Sequence, residues 1–280
     1  MDRYLRPTQL TEALAALDAG ARTIIAGGTD YYPARVGKPL DEDILDVTAL
    51  RGLGRIEDTG EAYRIGALIT WSDILRADLP PWFDALKAAT RELGGVQVQN
   101  AGTIAGNLCN ASPAADGVPV LLSYDAAVEL ASVEGERRLP LADFITGNRT
   151  TGRAANELVT GIIIPKPAWP ARATFLKLGA RRYLVISIVM VSAVLEEDAN
   201  GTVAAARLAV GACSEVAMRL PALEDALVGQ ALSPALAGIV TPRHLSGLSP
   251  IGDIRGPAVY RRDAALTLVK RALTELGGPP

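Results

Sequence analysis

Apolar residues recur at helical spacing from Leu10 to Leu17, just after Pro7-Thr8, and then the period changes. Ala21 to Ala26 is a short apolar run that reads as a buried strand. A second strand follows at Ile44 to Val47, beyond the turn-rich Gly37-Lys-Pro39 segment. This opening predicts a small βαβ-like lobe over residues 1–55. A longer α+β lobe occupies residues 56–168. Within it Tyr63-Arg-Ile-Gly-Ala67 predicts a strand, Trp71 to Arg76 a short helix, and Pro80 to Leu93 a helix. Asn100 to Asp116 holds neither period and reads as a loop, with an apolar helix beginning near Pro119. Strands are expected at Ala127 to Ser132 and at Leu158 to Ile164.

The clear proline cluster, Pro165-Lys-Pro-Ala-Trp-Pro170, sets the expected domain boundary, giving domains of 1–168 and 169–280. Beyond it, Ala173 to Leu178, Ile186 to Glu196 and Val203 to Val210 read as strands. The last two pair across the hairpin-type turn Asp198-Ala-Asn-Gly201. Helices near Pro221 to Val228 and Asp263 to Leu276 complete a small α+β domain, so the whole chain belongs to the α+β class.

Composition narrows the chemistry. Of 280 residues 49% are hydrophobic and 21% charged, as in a folded globular protein, and a net charge of −3 offers nucleic acid no basic footprint. The longest apolar candidate, Leu184 to Leu195, is too short for a membrane span and contains Ser187 and Ser192. Met1-Asp-Arg-Tyr-Leu-Arg6 lacks an apolar signal core, so a cytoplasmic protein is expected. The chain has two cysteines, Cys109 and Cys213, and one histidine, His244, with no Cys-x-x-Cys pair. An iron–sulfur cluster or structural zinc held by this chain alone is therefore not expected. Any redox group must be an organic cofactor, with metal centres in partner chains. No Ser-His-Asp, Cys-His, paired-carboxylate or Gly-x-x-x-x-Gly-Lys-Ser/Thr pattern is present, and no catalytic residue is nominated.

Two segments carry the remaining chemistry. Asn100-Ala-Gly-Thr-Ile-Ala-Gly-Asn-Leu-Cys-Asn-Ala-Ser-Pro-Ala-Ala-Asp116 gathers small residues and short polar side chains where a ligand can approach backbone N–H groups. Far upstream, Thr23-Ile-Ile-Ala-Gly-Gly-Thr-Asp30 is an apolar strand breaking into a Gly-Gly-Thr turn, a way of cradling phosphate. Alone, the first turn reads as an ordinary strand end and the second segment as a structural loop. Together they point to a dinucleotide. Gly27 and Gly28 admit a pyrophosphate, Thr29 adds a hydroxyl, and Thr103, Gly106 and Asn107 form a second wall.

Ala26-Gly-Gly-Thr-Asp30, Thr103-Ile-Ala-Gly-Asn107 and Ser112-Pro-Ala-Ala-Asp116 resemble the motifs of the FAD-binding medium subunits of molybdenum hydroxylases, the xanthine dehydrogenase and aerobic carbon monoxide dehydrogenase family. Ala105 departs from the family, which has glycine there. The resemblance continues through Phe175 to Ser187, Ala206 to Cys213 and Asp253 to Arg261, and so covers nearly the whole chain. It implies a two-lobed FAD-binding domain of the vanillyl-alcohol-oxidase-like (PCMH) type, followed by a carbon-monoxide-dehydrogenase-flavoprotein-like C-terminal domain. It implies FAD contacts at Ile25, Ala26, Gly27, Gly28, Thr29, Asp30 and Tyr31, and at Ala101, Thr103, Gly106 and Asn107. Asp116 would meet the sugar or adenine end, its alternative role being an N-cap for the helix near Pro119. Val159 would make a backbone contact near adenine, or simply fill the core. Lys177 would stabilise charge on the reduced ring, or else snorkel to solvent. Tyr183 and Ile186 would cover the isoalloxazine, or belong to a solvated basic turn around Arg181-Arg182.

The resemblance further implies a large molybdopterin-binding subunit and a small subunit with [2Fe–2S] clusters, assembled as a dimer of heterotrimers. Electrons would pass from the clusters through FAD to NAD⁺, a quinone or oxygen. Two rivals are a stand-alone FAD oxidase of the same fold group and a scaffold subunit without cofactor. The segment after Pro170 is short for an oxidase substrate cap and poor in His and Tyr, and the intact glycines argue against the scaffold.

Overall fold

The computed structural model describes residues 3–39 and 41–279. The first lobe contains β1 (Tyr4–Leu5), α1 (Leu10–Asp18), β2 (Thr23–Ile25) and β3 (Ile44–Asp46), with the strands parallel in the order β1-β3-β2. Helix α1 forms because Ala13, Leu14 and Leu17 fall on one face, where they are buried against Leu45, Val47, Leu50 and Leu53. Ala131 and Leu158 of the second lobe complete that cluster, so the first lobe is seated on the second.

The second lobe opens with β4 (Ile56–Asp58), β5 (Ala62–Gly66) and α2 (Trp71–Arg76). A capping box starts α2: Thr70 Oγ1 accepts from the Asp73 N–H at 3.2 Å and Asp73 Oδ2 accepts from the Thr70 N–H at 3.0 Å. There follow α3 (Asp84–Glu92), α4 (Val96–Ala101), α5 (Ile104–Asn110), α6 (Gly117–Ser123), β6 (Ala127–Ser132), β7 (Gly135–Pro140), α7 (Leu141–Phe144), β8 (Ile145–Gly147), β9 (Thr150–Thr151) and β10 (Leu158–Pro165). The main sheet is antiparallel in the order β4-β5-β10-β6-β7, and β8-β9 is a separate small hairpin.

The last unit is an antiparallel sheet of β11 (Ala171–Leu178), β12 (Val189–Glu197), β13 (Val203–Gly211) and β14 (Met218–Arg219), with α8 (Pro221–Leu227) and α9 (Ala258–Leu276). One face of β12 carries Met190 and Val194 into the core of the second lobe. The other face carries Val189, Val191, Ala193 and Leu195 into a core with α8 and α9. Burial on both faces is why this strand reads as a continuous apolar run. On the first face Ser192 meets Ser123 of α6, Oγ to Oγ 2.8 Å, with both side chains fully buried.

The β12–β13 hairpin forms as the sequence predicts, with Gly201 at φ +75°. Several expectations need correction. The helix expected over Pro80 to Leu93 is a 3-10 turn at Pro81–Phe83 followed by α3, because Pro80-Pro81 supplies no N–H to a longer helix. The loop expected from Asn100 to Asp116 contains the end of α4 and all of α5. The strand expected from Ile186 starts at Val189, after a bend in which Leu184 has φ +53°. The helix expected from Asp263 starts at Ala258, preceded by Pro257. Its first turns expose Val259 and Tyr260 and so show no inward apolar period.

A charged pair inside the second sheet provides a stability test. Arg64 of β5 donates to Glu129 Oε1 of β6 at 2.9 and 2.7 Å, and Thr160 of β10 donates to the same oxygen at 3.1 Å. Burial alone would raise the Glu129 pKa, but these bonds, the Arg64 charge and a further hydrogen bond from Arg138 outweigh it and hold the carboxyl below its ordinary range. A depressed pKa contributes stability above the ordinary carboxylate value and loses it as pH falls through the folded value. Glu129→Gln is therefore expected to cost about 1–2 kcal/mol at pH 7. In urea unfolding at several pH values the deficit should shrink under acid conditions.

Candidate functional site

Strand β2 ends at Ile25 and the chain turns through Ala26-Gly-Gly-Thr29. Gly27 lies against the turn joining α4 and α5 so closely that an added Cβ would sit 1.8 Å from the Ala101 carbonyl oxygen. Gly28 has φ +64°, and a Cβ there would lie 2.5 Å from the Tyr32 ring. Glycine is thus demanded by the neighbouring backbone at the first position, and by conformation and a packed ring at the second. The Ala101 backbone is pressed onto Gly27.

The opposing turn is held firmly. Gly102 N–H donates to Val98 O at 2.7 Å, Trp71 N–H to Gly102 O at 3.2 Å, and Ile104 N–H to Ile69 O at 3.0 Å. Thr103 is the N-cap of α5, its Oγ1 accepting from the Gly106 N–H at 3.0 Å. One turn on, Asn107 Oδ1 is buried with no hydrogen-bond partner. A buried polar atom left unpaired is costly, which points to a group that completes it.

Between these walls lies a cavity of about 760 Å³. Of the sequence-predicted residues, Ile25 through Tyr31, Thr103, Gly106, Asn107 and Val159 line it. Val47, Leu53 and Leu158 give it an apolar part beside Val159, while Trp71, Leu93 and Val98 line it as well. The Tyr31 hydroxyl lies beside Glu42, and burial, with the Glu42 charge and hydrogen bond after it, raises its pKa. Cys109 also lines the cavity. Its side chain is exposed there, within reach of solvent through the cavity mouth.

Sequence reasoning missed the cationic lining of Arg22, Arg35, Arg149 and Arg153. Arg149 donates to Asp30 Oδ2 at 2.9 Å and to Asn110 Oδ1 at 2.6 Å. The available signal was the polar turn Gly147-Asn-Arg-Thr150 between two short strands, which no apolar period marks.

Ala101, Asp116, Lys177, Tyr183 and Ile186 do not line the cavity, Ala101 lying just behind it against Gly27. Asp116 occupies the N-cap position of α6 but caps nothing with its side chain. Its carboxylate accepts from Lys177 Nζ at 2.8 Å and from Ser187 Oγ at 2.6 Å, while Lys177 also donates to Glu92 O at 3.1 Å. Lys177 is buried and paired, not snorkelling, with 3% side-chain exposure. Burial raises the Asp116 pKa, and the Lys177 charge and the two hydrogen bonds offset this only in part. Tyr183 and Ile186 are exposed on the bend between β11 and β12.

A two-lobed scaffold with a side-chain-free turn facing a Thr-capped turn, over a cavity with an apolar part and cationic groups, defines a protein that binds a dinucleotide cofactor. Residues 1–167 match the family described as the FAD binding domain in molybdopterin dehydrogenase, and residues 174–276 match the CO dehydrogenase flavoprotein C-terminal domain. The nicotine 6-hydroxylase medium subunit of Paenarthrobacter nicotinovorans is 31% identical over 98% of this chain and 97% of its own. The glyceraldehyde dehydrogenase medium chain of Sulfolobus acidocaldarius is also 31% identical, with 98% and 97% covered. The solved carbon monoxide dehydrogenase of Hydrogenophaga pseudoflava superposes with a TM-score of 0.87 at 27% identity, covering 98% of this chain and 96% of that one. The chain belongs to the family of FAD-binding medium subunits of molybdenum hydroxylases, multi-subunit oxidoreductases. Among the described residues no helix is long and apolar enough to cross a membrane.

Proposed function

We propose that this chain is the electron-output module of its complex. It receives electrons from [2Fe–2S] clusters of a small subunit, which are fed by a large molybdopterin-binding subunit, and delivers them to a final acceptor. We further propose a dimer of heterotrimers, in the cytoplasm, and a chain organised as residues 1–168 and 169–280. The observation that carries the reading is the cavity. Gly27 and Gly28 let the β2 turn press onto the Ala101 carbonyl and the Tyr32 ring, which brings its small side-chain-free wall close to the α4–α5 turn. The buried Asn107 Oδ1 between them has no hydrogen-bond partner.

The residues fit FAD in distinct ways. Gly27, Gly28 and Thr29 hold the pyrophosphate, and Thr103 and Gly106 face it from the other wall. Val159 with Val47, Leu53 and Leu158 offers an apolar slot for adenine. The bound flavin supplies the exchange between single-electron and two-electron transfer. The paired Asp116 and Lys177 act by holding the Tyr183 and Ile186 segment in place, since Ser187 at its end is bonded to Asp116. Neither rival reading gains support from an observation in the fold.

Purified protein is expected to release FAD, not FMN, on acid treatment, as chromatography of the supernatant will show. FMN alone would refute the pyrophosphate assignment. Bound FAD should also shield Cys109, so thiol labelling should rise when the flavin is removed, while buried Cys213 stays unlabelled. In the reconstituted complex, substrate should reduce the flavin only when both partner subunits are present. Reduction by substrate of this chain alone would favour the stand-alone oxidase.

A further inference from the structure

Asp30 lines the cradle, where a carboxylate would repel the phosphates of the cofactor. The side chain that answers this is Arg149. It lies on the turn between β8 and β9, and its Nη1 spans from Asp30 to Asn110 at the end of α5. That placement is built into the backbone. Arg149 has φ +55°, a conformation that side-chain-bearing residues adopt only when their surroundings enforce it. Its N–H donates to the Ala111 carbonyl at 2.9 Å, and the Asn148 N–H donates to Glu215 Oε1 at 3.3 Å. The turn is therefore fastened both to α5 and to the segment after β13. Both side-chain hydrogen bonds leave from Nη1, so the Nε and Nη2 edge of the guanidinium has no hydrogen-bond partner among the described residues. Such an edge suits two phosphate oxygens in a bidentate grip.

We propose that Arg149 is a phosphate-binding residue of the cofactor site, reaching the FAD pyrophosphate from the β8–β9 turn. Asp30 is its positioning residue: it holds the guanidinium at the cavity, and the pairing neutralises its own charge. The proposal rests on the reading of the cavity as the FAD site and adds to it the group that meets the phosphate charge.

FAD-free full-length protein titrated with FAD, followed by flavin fluorescence, tests it. Arg149→Met should weaken binding about 10- to 100-fold at low salt, the range of a charge-assisted bidentate contact. The difference from wild type should narrow as salt rises, because the lost interaction is one between charges. Arg149→Lys should recover part of the loss, since it restores the charge without the fork. Asp30→Asn should weaken FAD a few-fold in the wild-type background, where it unseats Arg149, and strengthen it in the Arg149→Met background, where the unpaired carboxylate would otherwise repel the phosphates. Wild-type affinity in Arg149→Met would overturn the proposal. So would a loss that is the same at every salt concentration and unrecovered by Lys, which would mark Arg149 as a fastening of the turn only. Wild-type protein that takes up no FAD would instead overturn the FAD reading itself, and the proposal with it.

Discussion

Gly27→Ala is expected to abolish stoichiometric FAD retention and leave a folded, colourless protein. The added methyl carbon would lie 1.8 Å from the Ala101 carbonyl oxygen, 2.4 Å from its carbon and 2.9 Å from the Gly102 nitrogen. These are backbone atoms held by the bonds from Gly102 to Val98 and from Trp71 to Gly102, so they cannot rotate aside as a side-chain tip would. The two turns must separate instead, which widens the gap between the walls that the cofactor has to bridge. Overpacking of this kind costs about 1–3 kcal/mol, a drop of several degrees in melting temperature for a chain of this size. The loss of flavin should be far larger, at least about 100-fold, because binding depends on both walls at once. Gly20→Ala is the matched control, since a Cβ at Gly20 in the same lobe has no atom within 4 Å. It should keep both colour and stability. Full FAD occupancy in Gly27→Ala would show that the close approach of the two turns is not part of the site.

The same glycines show what the sequence reveals of such a site and what it conceals. That Gly27 and Gly28 mark a backbone needing close approach was legible, because glycine pairs at strand ends have few other uses next to small polar residues. The two reasons, a carbonyl from residue 101 and a positive φ under the Tyr32 ring, were not, since each depends on a neighbour placed by the fold. Asp116 shows the limit more sharply. Its position before an apolar segment suggested a cap, yet its partners are Lys177 and Ser187, 61 and 71 residues away. No local pattern encodes a pair at that separation. Arg149 was missed for a related reason: its turn has no apolar period, and the residue at φ +55° is not glycine. The strands of the last domain were legible because alternation and hairpin chemistry are local. Their edges were blurred where both faces of β12 are buried.

Lys177→Met should be among the most destabilising single changes in the chain that leave the cavity lining untouched. Lys177 and Asp116 have side-chain exposures of 3% and 8% and meet at 2.8 Å, so solvent screens the pair little. Removing the lysine leaves a buried carboxylate with only Ser187 for company, a change that costs about 3–5 kcal/mol. It also frees the Glu92 carbonyl that Lys177 binds, loosening the end of α3 against β11. Burial already raises the Asp116 pKa, and loss of the ammonium must raise it further. A carboxyl whose folded pKa lies above its unfolded one contributes stability that is complete below the unfolded value. That contribution is lost as pH rises through the folded value. The deficit of Lys177→Met should therefore be smallest in acid and grow towards neutral pH, which chemical denaturation at a series of pH values will resolve. The double variant Asp116→Leu with Lys177→Met removes both charges and should recover much of the stability. An unchanged unfolding midpoint in the single variant, or a deficit indifferent to pH, would show that the pair is solvated and does not anchor the segment bearing Tyr183. The double variant separates the two roles of the pair: restored stability with FAD affinity unchanged would make it an anchor, whereas restored stability with weakened FAD would place Asp116 or Lys177 in contact with the cofactor.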